Sequence, residues 1–522
     1  MPPFGNLHLV QGITKMLSEL PQESGHLTFT KTSTNGSNRD FLSPYHLRWV
    51  IGILLVYFGI RLVYLALNVS PFAPPDEVTH AGLCKIFASV FLLPDNSPRT
   101  YEFGLVTNIP WLYYWSMGKL LHLNIFGLSD LVFLRLLNIP LAFGTVFFVR
   151  QTLLLFSNDR LTQILVVVVM TNTAMFSLLS ASVSYDNLTN FLAAMAIYYL
   201  FAFLKNRSGG LLSASILCQS AGCLTKVTFL PLAFALGLLL IVYEWKNLRR
   251  FPATVTNYFR TMNRRAWLSA LAIFVAFGLN VQLYAGNYLT YGTLNPGMAE
   301  VVSVENSMQY RISARETIFR LYTDAKISYM EALIMAGDIK HVGDKSDTFY
   351  MLMTYENLKR NPGLWMGPLQ YSRVWLESMT SSIFGIKGHL PMYKDSLYLI
   401  PLYLVMALSL LGFVIRWRPR ESGWLPLCLA LIACFYAGYL LFKINYNAYL
   451  YYGTPGITLQ GRYLFPVIGP ICVMLCLYLL RLFRADYLRI PLAVATALLF
   501  ITYDFPWFLM HATPQWYEWM PR

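Results

Sequence analysis

The sequence predicts an all-α integral membrane protein, a polytopic bundle of about eleven transmembrane helices at about twenty apolar residues per span, with one helical subdomain outside the membrane. Three observations lead there. Of 522 residues, 56% are hydrophobic and 16% aromatic, whereas 13% are charged, about half the charged share of an ordinary soluble domain. Apolar segments recur from Trp49 to Phe508 and are interrupted at length only between Asn287 and Ser396, so one membrane unit fits better than a string of modules. The formal charge of +14 is spread in short basic clusters between apolar runs. Insertion topology requires that pattern, and no long basic patch is left over for nucleic acid.

The elements follow in order. Residues 1–47, rich in Ser, Thr, Asn and Gly, read as a cytoplasmic tail without the apolar core of a cleavable signal, so the first span is itself the insertion signal. The expected spans are 48–68, 131–149, 161–181, 188–204, 210–224, 228–243, 267–286, 396–415, 423–442, 464–481 and 490–508. They divide the chain into a membrane module at 48–286, whose first outer loop is 69–130, an outer, partly interfacial helical subdomain at 287–395, C-terminal spans at 396–508 and a short outer tail at 509–522.

With the amino terminus inside, every inner connection is basic. These connections hold Arg150 and Arg160; Lys205 and Arg207; Lys246, Arg249, Arg250, Arg260, Arg264 and Arg265; Arg416, Arg418 and Arg420; and Arg481, Arg484 and Arg489. The short outer connections offer Lys226, Lys443 and Arg462, and the positive-inside rule selects this orientation. Residues 105–123 are apolar enough to cross, but counting them would carry the basic 244–266 connection outside. They are expected to form an aromatic-rich helix lying in the outer interface. Apart from Cys84, the seven cysteines lie inside apolar runs and show neither disulfide nor zinc spacing.

On this topology the unusual ionisable residues fall at one face. Asp76 and Glu77 follow Pro74-Pro75 just past the first span, and His80 stands one helical turn beyond Asp76. Asp186 lies in Ser-Val-Ser-Tyr-Asp-Asn, Lys226 breaks the apolar stretch 210–243, and Arg462 sits in the run Gln460-Gly-Arg-Tyr463. Each has a plainer reading: a solvated turn, a helix N-cap, a lysine snorkelling to headgroups, an interface anchor. Convergence from four distant stretches on one leaflet favours a site.

The order Pro-Pro-Asp-Glu, Asn-Ile-Pro-Trp-Leu-Tyr-Tyr, Ser-x-x-Tyr-Asp-Asn-Leu and Leu-Thr-Lys resembles the GT-C superfamily of membrane glycosyltransferases. The stretches Phe384-Gly-Ile-Lys-Gly-His-Leu-Pro391 and Gly456-Ile-Thr-Leu-Gln-Gly-Arg-Tyr-Leu-Phe-Pro466 are similar to a poorly characterised bacterial family within it. The likeness runs from about residue 48 to 508, and departs from the family pattern at Asn108-Ile-Pro-Trp, where His- or Lys-Pro-Pro-Leu is usual.

This resemblance implies a GT-C-like bundle in the cytoplasmic (inner) membrane of a bacterium, with an extracytoplasmic site and a catalytic first-loop aspartate. The donor it implies is a polyprenyl-phosphate-linked sugar, and an outward site agrees, because nucleotide sugars are cytosolic. Asp76 matches the superfamily's base, with Glu77 as reserve base or partner. Lys226 and Arg462 are the cations for the departing phosphate. Asp186, His80, Gln460 and Tyr463 are the residues that orient acceptor, substrate or metal. Whether a divalent cation such as Mg²⁺ or Mn²⁺ takes part stays open; Asp76, Glu77 and Asp186 would be its oxygen ligands. The acceptor would be an extracytoplasmic glycan, lipid or protein. Two further classes stay in view, a polysaccharide polymerase or ligase and a transporter or flippase of lipid-linked glycans.

Overall fold

The computed structural model describes residues 43–245, 263–340, 342–386, 388, 390, 392, 396–419, 423–456 and 459–522. Most of the expected amino-terminal tail therefore lies outside the described residues, as do Lys246, Arg249, Arg250, Arg260 and Arg420 of the inner connections and Lys387, His389, Pro391, Ile457 and Thr458 of the motifs. Among the described residues the structure is helical, with two isolated β-bridges and no strand.

Among the described residues, nine helices are long and apolar enough to cross a bilayer: α1 (Pro44–Asn68), α4 (Asp130–Leu154), α7 (Tyr185–Asn206), α9 (Val227–Glu244), α10 (Ala266–Tyr291), α15 (Leu397–Arg416), α16 (Leu425–Tyr452), α17 (Gly461–Arg481) and α18 (Asp486–His511). The remaining two expected spans differ in form. Residues 161–181 are a broken pair, α5 (Arg160–Thr171) and α6 (Ala174–Ser180), bent by 65°. Residues 210–224 fall in α8 (Gly209–Thr225), which at 17 residues is shorter than an ordinary span. The protein is thus a multi-pass, all-α membrane protein, with nine full spans among the described residues where eleven were expected.

Of the segment 105–123, only α3 (Leu112–Leu121) is helical, about 15 Å long at 1.5 Å per residue and too short to cross. It packs on α2 (Glu77–Ala88) through Gly118, where an added Cβ would come within 2.7 Å of the Cys84 carbonyl oxygen. Outside the bundle, α11 (Arg311–Thr323), α12 (Tyr329–Gly337) and α13 (Val342–Arg360) close a separate small core of Ala314, Ile318, Phe319, Ala336, Met351 and Leu352. The next helix, α14 (Pro368–Phe384), joins the main core instead, through Tyr371, Trp375, Met379 and Ile383. Trp375 Nε1 donates to Asn445 Oδ1 of α16 at 2.9 Å.

The most enclosed span is α17, with 83% of its most apolar stretch buried, whereas α7 reaches 67% and the rest 50% or less. Its first turn therefore starts inside the bundle rather than at the lipid face. The basic connections gather at one end: Arg489 Nη2 pairs with Asp159 Oδ2 at 2.8 Å, Arg416 Nη2 donates to the Leu482 carbonyl at 2.9 Å, Lys205 Nζ donates to the Leu155 carbonyl at 3.1 Å, and Arg207 pairs with Glu244. The C-terminal tail returns along the exit of α1. Ser70 N donates to the Trp516 carbonyl, Glu518 N to that of Asn68 and Met520 N to that of Leu67, each at 2.8 Å.

The break between α5 and α6 has a local cause. Thr171, Asn172 and Thr173 turn their side chains back onto the carbonyls of Val167, Val168 and Val169, at 2.7, 2.8 and 2.8 Å. The Val168 carbonyl keeps its helical bond from the Asn172 N–H at 3.0 Å, and Thr173 Oγ1 supplies a donor to the Val169 carbonyl past the last helical bond, as an apolar medium demands where a helix breaks. Arg61 of α1 completes the arrangement. Its Nη2 donates to the Thr171 carbonyl at 2.6 Å, its Nη1 donates to Asn172 Oδ1 at 3.0 Å, and its charge pairs with Asp504 of α18, itself bonded by Ser177 Oγ at 2.9 Å.

Arg61→Met is expected to lower stability by about 3–5 kcal/mol, because Asp504 is left buried without its cation. Removing both charges with Arg61→Met and Asp504→Asn should cost less. Thermal unfolding in detergent checks both, and equal losses from the single and double variants would contradict the pairing.

Candidate functional site

Asp76 occupies the N-cap position of α2 in a left-handed conformation, φ 58° and ψ 14°. For a residue with a side chain this region costs about 1–2 kcal/mol, least for Asp and Asn. Its carboxylate makes no cap hydrogen bond. Instead Oδ2 accepts from Arg462 Nη2 at 2.6 Å. A strained residue whose side chain is turned away from the helix it precedes is the kind of outlier that points to function.

The neighbouring Glu77 does something else. It is fully buried, and both carboxylate oxygens bind Arg135 of α4, Oε1 to Nε at 2.8 Å and Oε2 to Nη2 at 2.5 Å. Oε1 also accepts from the Val183 backbone N–H at 2.7 Å. Arg135 Nη1 in turn donates to the carbonyls of Ala66 and Val69, at 3.0 and 2.7 Å. The end of α1, the start of α2 and the approach to α7 are thus bound to one Arg135–Glu77 pair.

Asp186 stands in the first turn of α7, but the cap of that helix is Ser184, whose Oγ accepts from the Asp186 backbone N–H at 3.2 Å. The Asp186 carboxylate is free of that duty. Its Oδ1 binds Lys226 Nζ at 2.5 Å, and its Oδ2 lies 3.5 Å from Arg462 Nη1. Lys226 sits in extended backbone where α8 ends and α9 begins. Buried on Asp186, with the rings of Tyr185 and Tyr463 at 4.6 and 5.0 Å from its ammonium, it does not snorkel to headgroups.

Arg462, in the 3₁₀ turn that opens α17, is held on its other edge by Gln460, whose Oε1 accepts from Nε at 2.5 Å. Two glycines allow these pieces to meet. A Cβ at Gly461 would lie 2.6 Å from Ile383 Cγ1 and 2.7 Å from Ser382 Oγ, the same hydroxyl oxygen that accepts from the Gly461 N–H. A Cβ at Gly388 would lie 2.1 Å from the Ala73 carbonyl oxygen, just ahead of Pro74-Pro75. Both glycines come from the two longer motifs, and their role is close approach of backbones.

Asp76, Asp186, Lys226 and Arg462 therefore form one connected network of two anions and two cations. The side chains of Asp186, Lys226 and Arg462 are at most 6% exposed, whereas that of Asp76 is 21% exposed. Asp76 is the member that meets the outside. The carboxylates do not fit a divalent cation in this arrangement: Glu77 is taken by Arg135 and Asp186 by Lys226. Among the described residues no three His, Cys, Asp or Glu side chains group as metal ligands would.

His80 is buried beside the network, with Nδ1 2.9 Å from the Tyr114 hydroxyl and its ring edge-on to Tyr185 at 4.5 Å. Burial pushes its pKa down to about 4, against a smaller upward pull from Asp76, so the imidazole is neutral at pH 7. Burial also pushes the Tyr114 phenol well up. Sequence reasoning attached no role to Tyr114, Tyr185 or Arg135. The two tyrosines stand inside quoted motifs, and Arg135 carried the signal of a lone charge within an apolar span. Asn108, where the family pattern is broken, is in left-handed backbone and clasped to α10: its Nδ2 donates to Asn287 Oδ1, and Asn287 Nδ2 donates back to the Asn108 carbonyl, both at 2.9 Å.

The His80 environment predicts a pH effect with a definite sign. Between about pH 4 and 6.5 the unfolded chain binds a proton at this residue that the folded chain does not, so stability falls as pH falls through that window. The full loss is about 3 kcal/mol, at 1.36 kcal/mol per pKa unit. Comparing the melting temperature at pH 7 and pH 5 for the wild type and His80→Gln checks it, the variant being expected to lose part of the acid sensitivity.

No family model matches the sequence, and no curated protein matches it either. Among solved structures, the chain is similar to the archaeal oligosaccharyltransferase AglB from Archaeoglobus fulgidus in complex with an inhibitory peptide and a dolichol-phosphate, at 11% identity and a TM-score of 0.44 over 89% of this chain and 56% of that one. A second likeness is to the Archaeoglobus fulgidus oligosaccharyltransferase in the apo form, at 12% identity and a TM-score of 0.45 over 92% and 57%. A third is to ArnT from Cupriavidus metallidurans bound to undecaprenyl phosphate, at 12% identity and a TM-score of 0.34 over 83% and 77%. The chain spans a little over half the length of the two oligosaccharyltransferases, 56% and 57%.

Proposed function

We propose that this protein is a membrane glycosyltransferase of the GT-C kind, which moves a sugar from a polyprenyl-phosphate carrier to an acceptor hydroxyl outside the cytoplasm. The observation that carries the reading is the pairing of one partly exposed carboxylate, Asp76, with a buried arginine and lysine within a single network. Sugar transfer needs both halves of that arrangement. The acceptor oxygen attacks the anomeric carbon, its proton passes to the Asp76 carboxylate, and the bond from the anomeric carbon to the phosphate oxygen breaks with its electron pair leaving on the polyprenyl phosphate. Negative charge grows on that phosphate, and fixed cations stabilise it most in the transition state.

Arg462 and Lys226 are those cations. Gln460 orients the guanidinium fork, Asp186 holds the lysine, and Tyr185 and Tyr463 wall the ammonium. Glu77, saturated by Arg135, is a positioning residue for the loop and not a second base. His80, neutral at pH 7 and bonded to Tyr114, offers hydrogen bonds and no charge. The basic connections gathered at the other end of the bundle support an extracytoplasmic site, in the setting of a bacterial inner membrane. A single sugar placed on a lipid, polymer or protein distinguishes this activity from polymerisation, which joins one lipid-linked glycan to another.

The test uses membranes from cells expressing the wild type and Asp76→Asn, supplied with a panel of radiolabelled polyprenyl-phosphate sugars. One sugar should be transferred by the wild type, and Asp76→Asn should lower its rate by about 10²–10⁴-fold at equal protein level. Equal transfer by the two proteins would remove Asp76 from the chemistry. Glu77→Gln separates the two acidic roles: it should lower the melting temperature more than it lowers the rate per folded molecule, and a rate loss at unchanged melting temperature would make Glu77 the base.

A further inference from the structure

We infer that the donor's phosphate group itself switches on the base, by drawing Arg462 away from Asp76. The inference rests on the functional reading above and concerns the regulation of that same site. In the structure the Asp76 carboxylate is bound by the Arg462 guanidinium at 2.6 Å, and a carboxylate held by a buried cation is a poor proton acceptor. As it stands, the base is masked.

Among the described residues, two buried polar atoms in the site have no hydrogen-bond partner, Arg462 Nη1 and His80 Nε2. Asp186 Oδ2, at 3.5 Å from Nη1, is beyond good hydrogen-bond reach. Buried polar atoms without partners are rare, and each calls for a physical explanation. A ligand carrying several acceptor oxygens supplies one here, because a guanidinium offers two parallel N–H groups that match two phosphate oxygens. One of those two, Nη2, is occupied by Asp76. For the fork to bind a phosphate with both nitrogens, Asp76 has to give way.

Charge and burial determine which carboxylate moves. The network of Asp76, Asp186, Lys226 and Arg462 is neutral, and an arriving phosphate anion makes one carboxylate surplus. Asp186 is 1% exposed and held by Lys226 at 2.5 Å, so releasing it would leave a charge stranded in an apolar interior. Asp76 is 21% exposed and can turn toward water and the acceptor. Released from Arg462, it becomes the stronger base, and it does so only when the donor is in place. Before that, no water molecule meets an activated carboxylate.

The probe is undecaprenyl monophosphate, which carries no sugar, and its affinity is measured for the protein in nanodiscs. Removing the competing carboxylate should tighten binding about tenfold in Asp76→Asn, a change of about 1.4 kcal/mol. Asp76→Gly should do the same; both replacements suit the left-handed backbone at this position, so a folding defect in one does not end the test. Arg462→Ala should abolish binding, and in that background Asp76→Asn should bring no gain. If both Asp76 variants bind no tighter than wild type while Arg462→Ala still loses the probe, the switch is wrong and the assignment of base and phosphate site is untouched. If neither Arg462→Ala nor Lys226→Met changes affinity, the phosphate site is wrong and the switch falls with it.

Discussion

Arg135 reaches the start of α2 through two bonds to Glu77, the end of α1 through two carbonyls, and the approach to α7 through the backbone N–H that shares its carboxylate partner. An ion pair so deeply buried is costly to assemble and more costly to break, since either partner alone would be a naked charge in an apolar interior. That asymmetry makes it a register pin. With Glu77 fixed, the preceding residue has little freedom, and the left-handed turn at Asp76 presents its carboxylate to Arg462 instead of to the helix terminus.

The same physics recurs at a second place. Arg61 reaches the carbonyl end of α5, where the helix dipole is negative and the chain is interrupted, and its charge is balanced by Asp504 from the last span. The first and last spans are thereby joined at the break. The C-terminal tail reinforces the junction by pairing with residues 67–70. The members of both pairs are buried, whereas the four-member network of Asp76, Asp186, Lys226 and Arg462 has one member, Asp76, partly open to solvent.

Close backbone contact explains the glycines of the two long motifs. Gly388 rests on the Ala73 carbonyl and Gly461 on Ser382 and Ile383, so Gly388 meets the first loop and the end of α14 meets the start of α17. The subdomain formed by α11 to α13 enters the bundle through α14, and Asn108 and Asn287 clasp the first loop to α10.

Hydropathy and charge determined by themselves that the chain is a helical membrane protein and roughly where most of its apolar helices lie, because transfer from water to lipid acts on each segment separately. The motif residues Asp76, Asp186, Lys226 and Arg462 were legible for a related reason: a charge among apolar neighbours stands out in one dimension. Their pairing was not. Glu77 and Asp76 are adjacent in the chain and chemically alike, yet one is closed off by Arg135 and the other faces Arg462, a partner 386 residues away. The bend at Asn172 was equally hidden, since the residues on either side are as apolar as an unbroken span. Which carboxylate is fully buried and which stays partly exposed was decided by the tertiary structure, because desolvation and Coulomb energy depend on distances between segments and not on the order in which they occur.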